Sequence, residues 1–100
     1  MEERTAEQIW LTLQENSGRF VEIVFEGGET IHAYLLCASQ DMDGSRLVAY
    51  DLYWTSQPES RKGYVQGDAF CDEFEYISAV QPLSSSKAEG YAAQQLRLRK

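Results

Sequence analysis

The sequence predicts a mainly β domain: a small, strongly bent antiparallel barrel of five strands, with one helix before it and one after it. Three observations carry this prediction. Apolar residues recur at helical intervals only near the two ends of the chain. Between the ends they alternate with a period of two, and turn residues at Gly27-Gly28 and Asp43-Gly44 interrupt the alternation. Short consecutive strands leave bare edges unless they curl, so a small barrel is expected over a flat sheet. The 100 residues make one domain, with helix 5–16, barrel 19–82 and helix 85–98.

In "RTAEQIWLTLQENSG", Thr5 and Gln8 stand at the spacing of a capping box, and Ala6, Ile9, Trp10 and Leu13 form one stripe. Asn16-Ser17-Gly18 supplies the stop, with Gly18 suited to a left-handed cap. A helix of about three turns is marginal alone, so its stripe must pack on something.

The period then changes. In "VEIVFEGGETIHAYLL", Val21, Ile23 and Phe25 share one face, and Glu22, Val24 and Glu26 the other. After the Gly-Gly turn, Ile31, Ala33, Leu35 and Cys37 take one face, and Thr30, His32, Tyr34 and Leu36 the other. "SQDMDGSR" is a second turn, and Leu47 to Trp54 a third strand. "TSQPESRKG" reads as a loop. "YVQGDAF" and "DEFEYISAVQP" give the last strands, with a break expected near Gly67-Asp68 and an end at Pro82. "SSSKAEGYAAQQLRLRK" is the final helix, with Ala88, Tyr91, Ala92 and Leu96 as its stripe and Gly90 weakening it.

A 43% hydrophobic and 12% aromatic content argues against disorder. No apolar run approaches the roughly 18 residues of a membrane span. The start, "MEERTAEQIW", is acidic where a secretory signal is basic and then apolar, so a soluble cytoplasmic protein without membrane contact is expected. Cys37 and Cys71 have no CxxC spacing and lie in apolar stretches; buried structural thiols are expected.

The net charge of −7 is unevenly distributed. Residues 1–83 hold five Lys/Arg against fifteen Asp/Glu, a balance of −10; residues 84–100 hold four against one, +3. The body of this acidic protein therefore repels phosphate, whereas the tail attracts it or docks on the body.

The stretch "VEIVFEGGETIHAYLL", entered from a short helix and a glycine, resembles the opening of the Sm-like small β-barrels. "LVAYDL" and "EYISAVQPL" resemble later strands of Sm-like and other SH3-like barrels, so the resemblance spans about residues 5–82. It implies a bent second strand running on into a third. RNA-binding members typically carry Asp and Asn in the turn after the second strand, and a basic, glycine-containing turn between the last two. Here the first turn reads Gln40-Asp41-Met42-Asp43-Gly44-Ser45, and "EYISAVQP" has neither arginine nor glycine.

The functional expectation is a non-enzymatic interaction module that self-associates or binds a protein or peptide. His32 is the single histidine and has no nucleophile at a defined spacing, and no glycine-rich loop opens a helix. No catalytic residue, metal or cofactor is therefore assigned. Asp41-x-Asp43-Gly44 lacks the further ligands of a calcium loop and reads as a turn. Asp68, Asp72, Glu73 and Glu75 read as a solvated acidic edge. Tyr34, Tyr50, Tyr53, Trp54 and Tyr64 either fill the core or form a surface for a partner, and they are the candidate partner-binding residues. The alternative is an Sm-like RNA-binding oligomer using Arg19, Arg61, Lys62, Arg97, Arg99 and Lys100, although the acidic surround makes nucleic acid the less expected partner.

Overall fold

The first helix, α1 (Ala6–Glu15), starts where its capping residues dictate. The Thr5 hydroxyl accepts the Gln8 N–H at 3.2 Å, and Gln8 Oε1 accepts the Thr5 N–H at 2.9 Å. Ile9, Trp10 and Leu13 are its buried stripe, and Gly18 leaves the helix region at φ +79°. The computed structural model describes residues 5–98, the side chain of Leu98 excepted.

Five strands follow: β1 (Phe20–Phe25), β2 (Thr30–Gln40), β3 (Arg46–Thr55), β4 (Asp68–Glu73) and β5 (Ile77–Pro82). They form one antiparallel sheet in the order β4-β3-β2-β1-β5, and α2 (Ser85–Leu98) closes the chain. The first two turns share one design. Gly28 N–H bonds to the Phe25 carbonyl at 2.9 Å and Phe25 N–H to the Glu29 carbonyl at 2.8 Å. Gly44 N–H bonds to Asp41 at 2.9 Å and Asp41 N–H to Ser45 at 2.8 Å in the same way. In each, the third loop residue is a glycine at positive φ, +96° and +90°. Three-residue hairpin loops require that conformation there. Gly27, the first of the pair, keeps a negative φ; only its partner does the work expected of both.

Between β3 and β4 the structure departs from expectation. "YVQG" is not strand: Tyr64 N–H bonds to Arg61, Asp68 N–H to Val65, and Gly63 and Gly67 both have positive φ. Strand pairing begins at Asp68, and the expected break falls instead at a short 3-10 helix, Phe74–Tyr76.

That short helix has a geometric consequence. It joins β4 to β5, which lie at opposite edges of the sheet. Four flat strand spacings would separate those edges by about 19 Å, whereas Glu73 to Ile77 reaches at most about 14 Å. The sheet must therefore bend. Irregularities in register supply the bend, at Val24/Phe25 against β5 and at His32/Ala33 and Leu35/Cys37 against β3. No ladder joins β4 to β5 among the described residues, so the bent sheet is open.

The concave face and α1 enclose the core. Val21, Ile23, Ile31, Ala33, Leu35, Val48, Tyr50 and Leu52 are fully buried there with Leu13. The irregularity at Leu35/Cys37 inserts an extra residue, so alternation resumes one position late. Ala38 turns inward against the core, and Cys37 is exposed. Cys71 is exposed as well, because Cys37, Ala49 and Cys71 pair in one row across β2, β3 and β4. The expectation of two buried thiols is corrected on both counts.

Candidate functional site

The convex face carries a second arrangement, which begins with register. Gln81 on β5 pairs with Glu22 on β1, Glu22 pairs with His32 on β2, and His32 pairs with Trp54 on β3. Four side chains from four strands thus form one row, and each touches the next. Gln81 Nε2 donates to Glu22 Oε1 at 2.9 Å, and His32 Nε2 lies 3.2 Å from Glu22 Oε2. The His32 and Trp54 rings are 4.7 Å apart at 37°. A carboxylate only accepts, so His32 Nε2 carries the hydrogen of that contact. The Tyr91 hydroxyl of α2 meets the other ring nitrogen, Nδ1, at 3.1 Å, and donates to it in the neutral ring. His32 is 6% exposed and held at both nitrogens. It is a fixed base for Trp54, which keeps 41% of its surface exposed.

Tyr91 also anchors α2. Its ring lies 5.5 Å from Tyr53, 5.8 Å from Phe20 and 5.9 Å from His32. Burial, and Tyr64 beside it, push its hydroxyl above the ordinary tyrosine range. Between the helix and the row lies an open cleft of about 650 Å³, lined by Glu22, Thr30, His32, Trp54 and Ser56 on one side and by Lys87, Gly90, Tyr91 and Gln94 on the other.

The candidate aromatic residues are divided among three places. Tyr50 is fully buried in the core and Tyr53 is 2% exposed beneath Tyr91. Tyr34 is half-buried, edge-on to Phe20 at 5.1 Å, and Tyr64 is half-buried against the core. Trp54 alone of the five is open to a partner.

The candidate basic residues do not converge on one surface either. Arg61 is drawn inward, with its side chain 10% exposed. Its guanidinium binds Glu29, lies 3.6 Å from Asp72, and sits 4.9 Å from the Phe70 ring and 5.6 Å from Phe25. Burial alone would lower its pKa, but the hydrogen bonds and charge of Glu29, with Tyr50 beside it, outweigh burial, and the balance is upward. This plug ties the β1–β2 hairpin tip to β4. Arg19, Lys62 and Arg97 are exposed on separate elements, and Arg99 and Lys100 lie outside the described residues.

Sequence reasoning placed His32 on the outer face but assigned no role to Glu22, Lys87, Gly90 or Gln94. Pairing register sets Glu22 beside His32, and the docking of α2 through Tyr91 brings Lys87, Gly90 and Gln94 to them; neither is encoded by spacing along the chain. Compared with protein-family models, with curated proteins and with solved structures, the chain matches none.

Proposed function

We propose that this protein is a non-enzymatic interaction module of the small-barrel kind, which self-associates by pairing sheet edges. The observation that carries the reading is the open sheet: among the described residues its end strands, β4 and β5, each pair with one strand only, and the two are chemically unlike. On β4, Asp68 and Glu73 are exposed, whereas Asp72, expected on a solvated acidic edge, is half-buried against Tyr50 and Arg61; β5, "ISAVQP", contains no charge. Pairing β4 with β4 would set carboxylates against each other, so the favoured contact is β4 of one copy with β5 of the next. Such a head-to-tail contact closes into a ring when its rotation permits. The bend of the sheet supports the barrel reading.

Light scattering at micromolar concentration tests this. A mass several times that of one chain is expected, and a monomer would remove the proposal. Ser78→Asp, which places a carboxylate on the uncharged edge, is expected to shift the assembly toward monomer. Ser78→Asn, of similar shape, is expected to leave it assembled.

A further inference from the structure

We propose that the cleft between α2 and the Gln81–Glu22–His32–Trp54 row binds a small, planar aromatic molecule carrying one negative charge. Its volume, about 650 Å³, falls within the range of small-molecule pockets. Three features select the ligand.

The first is a preorganised wall. The Trp54 indole is half-exposed, and the His32 ring beneath it is fixed by Glu22 and Tyr91. An aromatic ligand stacking there orders little that is not already ordered. The second is Lys87 on the helix wall, exposed and with no carboxylate within ion-pair distance among the described residues. Glu22, the acid of the cleft, is occupied by His32 and Gln81. The Glu22 carboxylate keeps its charge but its oxygens are already taken, so Lys87 is the charged group of the cleft lining with donors left for a ligand.

The third is Gly90. Its φ is not positive, and an added Cβ would meet nothing within 4 Å. Neither backbone conformation nor packing calls for glycine inside this helix, where it is a poor helix former. Its effect is to leave the cleft open beside Tyr91. Gln81 of the row lies on the end strand β5, but the cleft lining itself comes from β1, β2, β3, Ser56 and α2, so the proposal stands or falls apart from self-association.

The test uses the full chain and two probes, naphthalene-2-carboxylate and its uncharged primary amide. The two indole N–H resonances report position, because Trp10 is 5% exposed in the core and Trp54 lies in the cleft. The carboxylate is expected to move the Trp54 resonance saturably and leave that of Trp10 in place. The amide is expected to bind roughly three- to fivefold more weakly, the scale of an exposed ion pair. Lys87→Gln is expected to abolish that difference. Gly90→Leu is expected to eliminate binding without lowering the melting temperature. An unmoved Trp54 resonance at millimolar probe, equal affinity for acid and amide, or undiminished binding by Gly90→Leu would each overturn the proposal.

Discussion

The Arg61 guanidinium grips both oxygens of the Glu29 carboxylate, Nε to Oε2 and Nη2 to Oε1, each at 3.0 Å. The two side chains are 10% and 12% exposed. Such a fork is worth most when intact, because either partner alone is a largely buried charge, left with Thr55 beside Glu29 or Asp72 beside Arg61. Arg61→Met is therefore expected to destabilise the protein by about 3 kcal/mol. The double variant Arg61→Met/Glu29→Met is expected to recover most of that loss. Urea denaturation of the three proteins checks this, and a double variant no better than the single would show that the pairing is not the cause.

The same pair fixes the acid limb of stability. Burial would raise the Glu29 pKa, but hydrogen bonds from Arg61 and Thr55 and the charge of Arg61 outweigh it, so the carboxyl lies below its ordinary 4.5. A folded-state pKa below the unfolded one contributes stability that is complete above about 4.5 and is lost as pH falls through the folded value. Thermal melts from neutral pH downward are expected to show this loss, and Glu29→Gln is expected to flatten it.

Tyr50 donates its hydroxyl to Asp72 from within the core. Burial first, and Asp72 second, raise its pKa well above the ordinary 10. The folded value lies above the unfolded one, so stability holds below about pH 10 and declines above it. An ultraviolet titration is expected to show tyrosine ionising in two groups, with Tyr50 released only on unfolding. Tyr50→Phe is expected to remove the late ionisation and cost about 1 kcal/mol.

Gly44 has φ +90° with nothing within 4 Å of an added Cβ, so any cost of substitution there is backbone strain alone. Gly44→Ala is expected to cost about 1 kcal/mol, and Gly44→Asn less, because asparagine tolerates the left-handed region. Equal melting temperatures for all three proteins would contradict the turn geometry.

Tyr91 is the side chain of α2 with the most ring contacts to the sheet. Tyr91→Ala is expected to speed amide exchange across residues 85–98 while β1, β2 and β3 stay protected. Exchange accelerating equally in the sheet would show instead that α2 is part of the cooperative core.

The parts of this fold that sequence alone discloses are those governed by neighbours along the chain. The Thr5–Gln8 cap, the alternation of Val21, Ile23 and Phe25, and the turns at Gly28 and Gly44 are all decided within five residues. Cys37 was misplaced because one inserted residue in β2 reverses facing, and nothing in "AYLLCAS" signals the insertion. Arg61 looked like a free loop cation because Glu29 lies 32 positions away. The row through Glu22, His32 and Trp54 depends on two register alignments at once. Composition could flag its aromatics but could not say that Trp54 would stay open while Tyr50 and Tyr53 were enclosed.

The position of β1 has a consequence for how the chain folds. It pairs on one side with β2, its neighbour in sequence, and on the other with β5, matching Val24 to Ala79 and Val21 to Pro82. The β1–β2–β3 meander forms through local turns, whereas the second ladder of β1 closes a loop of more than fifty residues. Made from its N-terminus, the chain completes that meander long before Ile77–Pro82 exists to cover it. Throughout that interval the apolar strand Phe20–Phe25 presents a bare edge. Synthesis is therefore the period in which this protein is most exposed to pairing with the wrong strand.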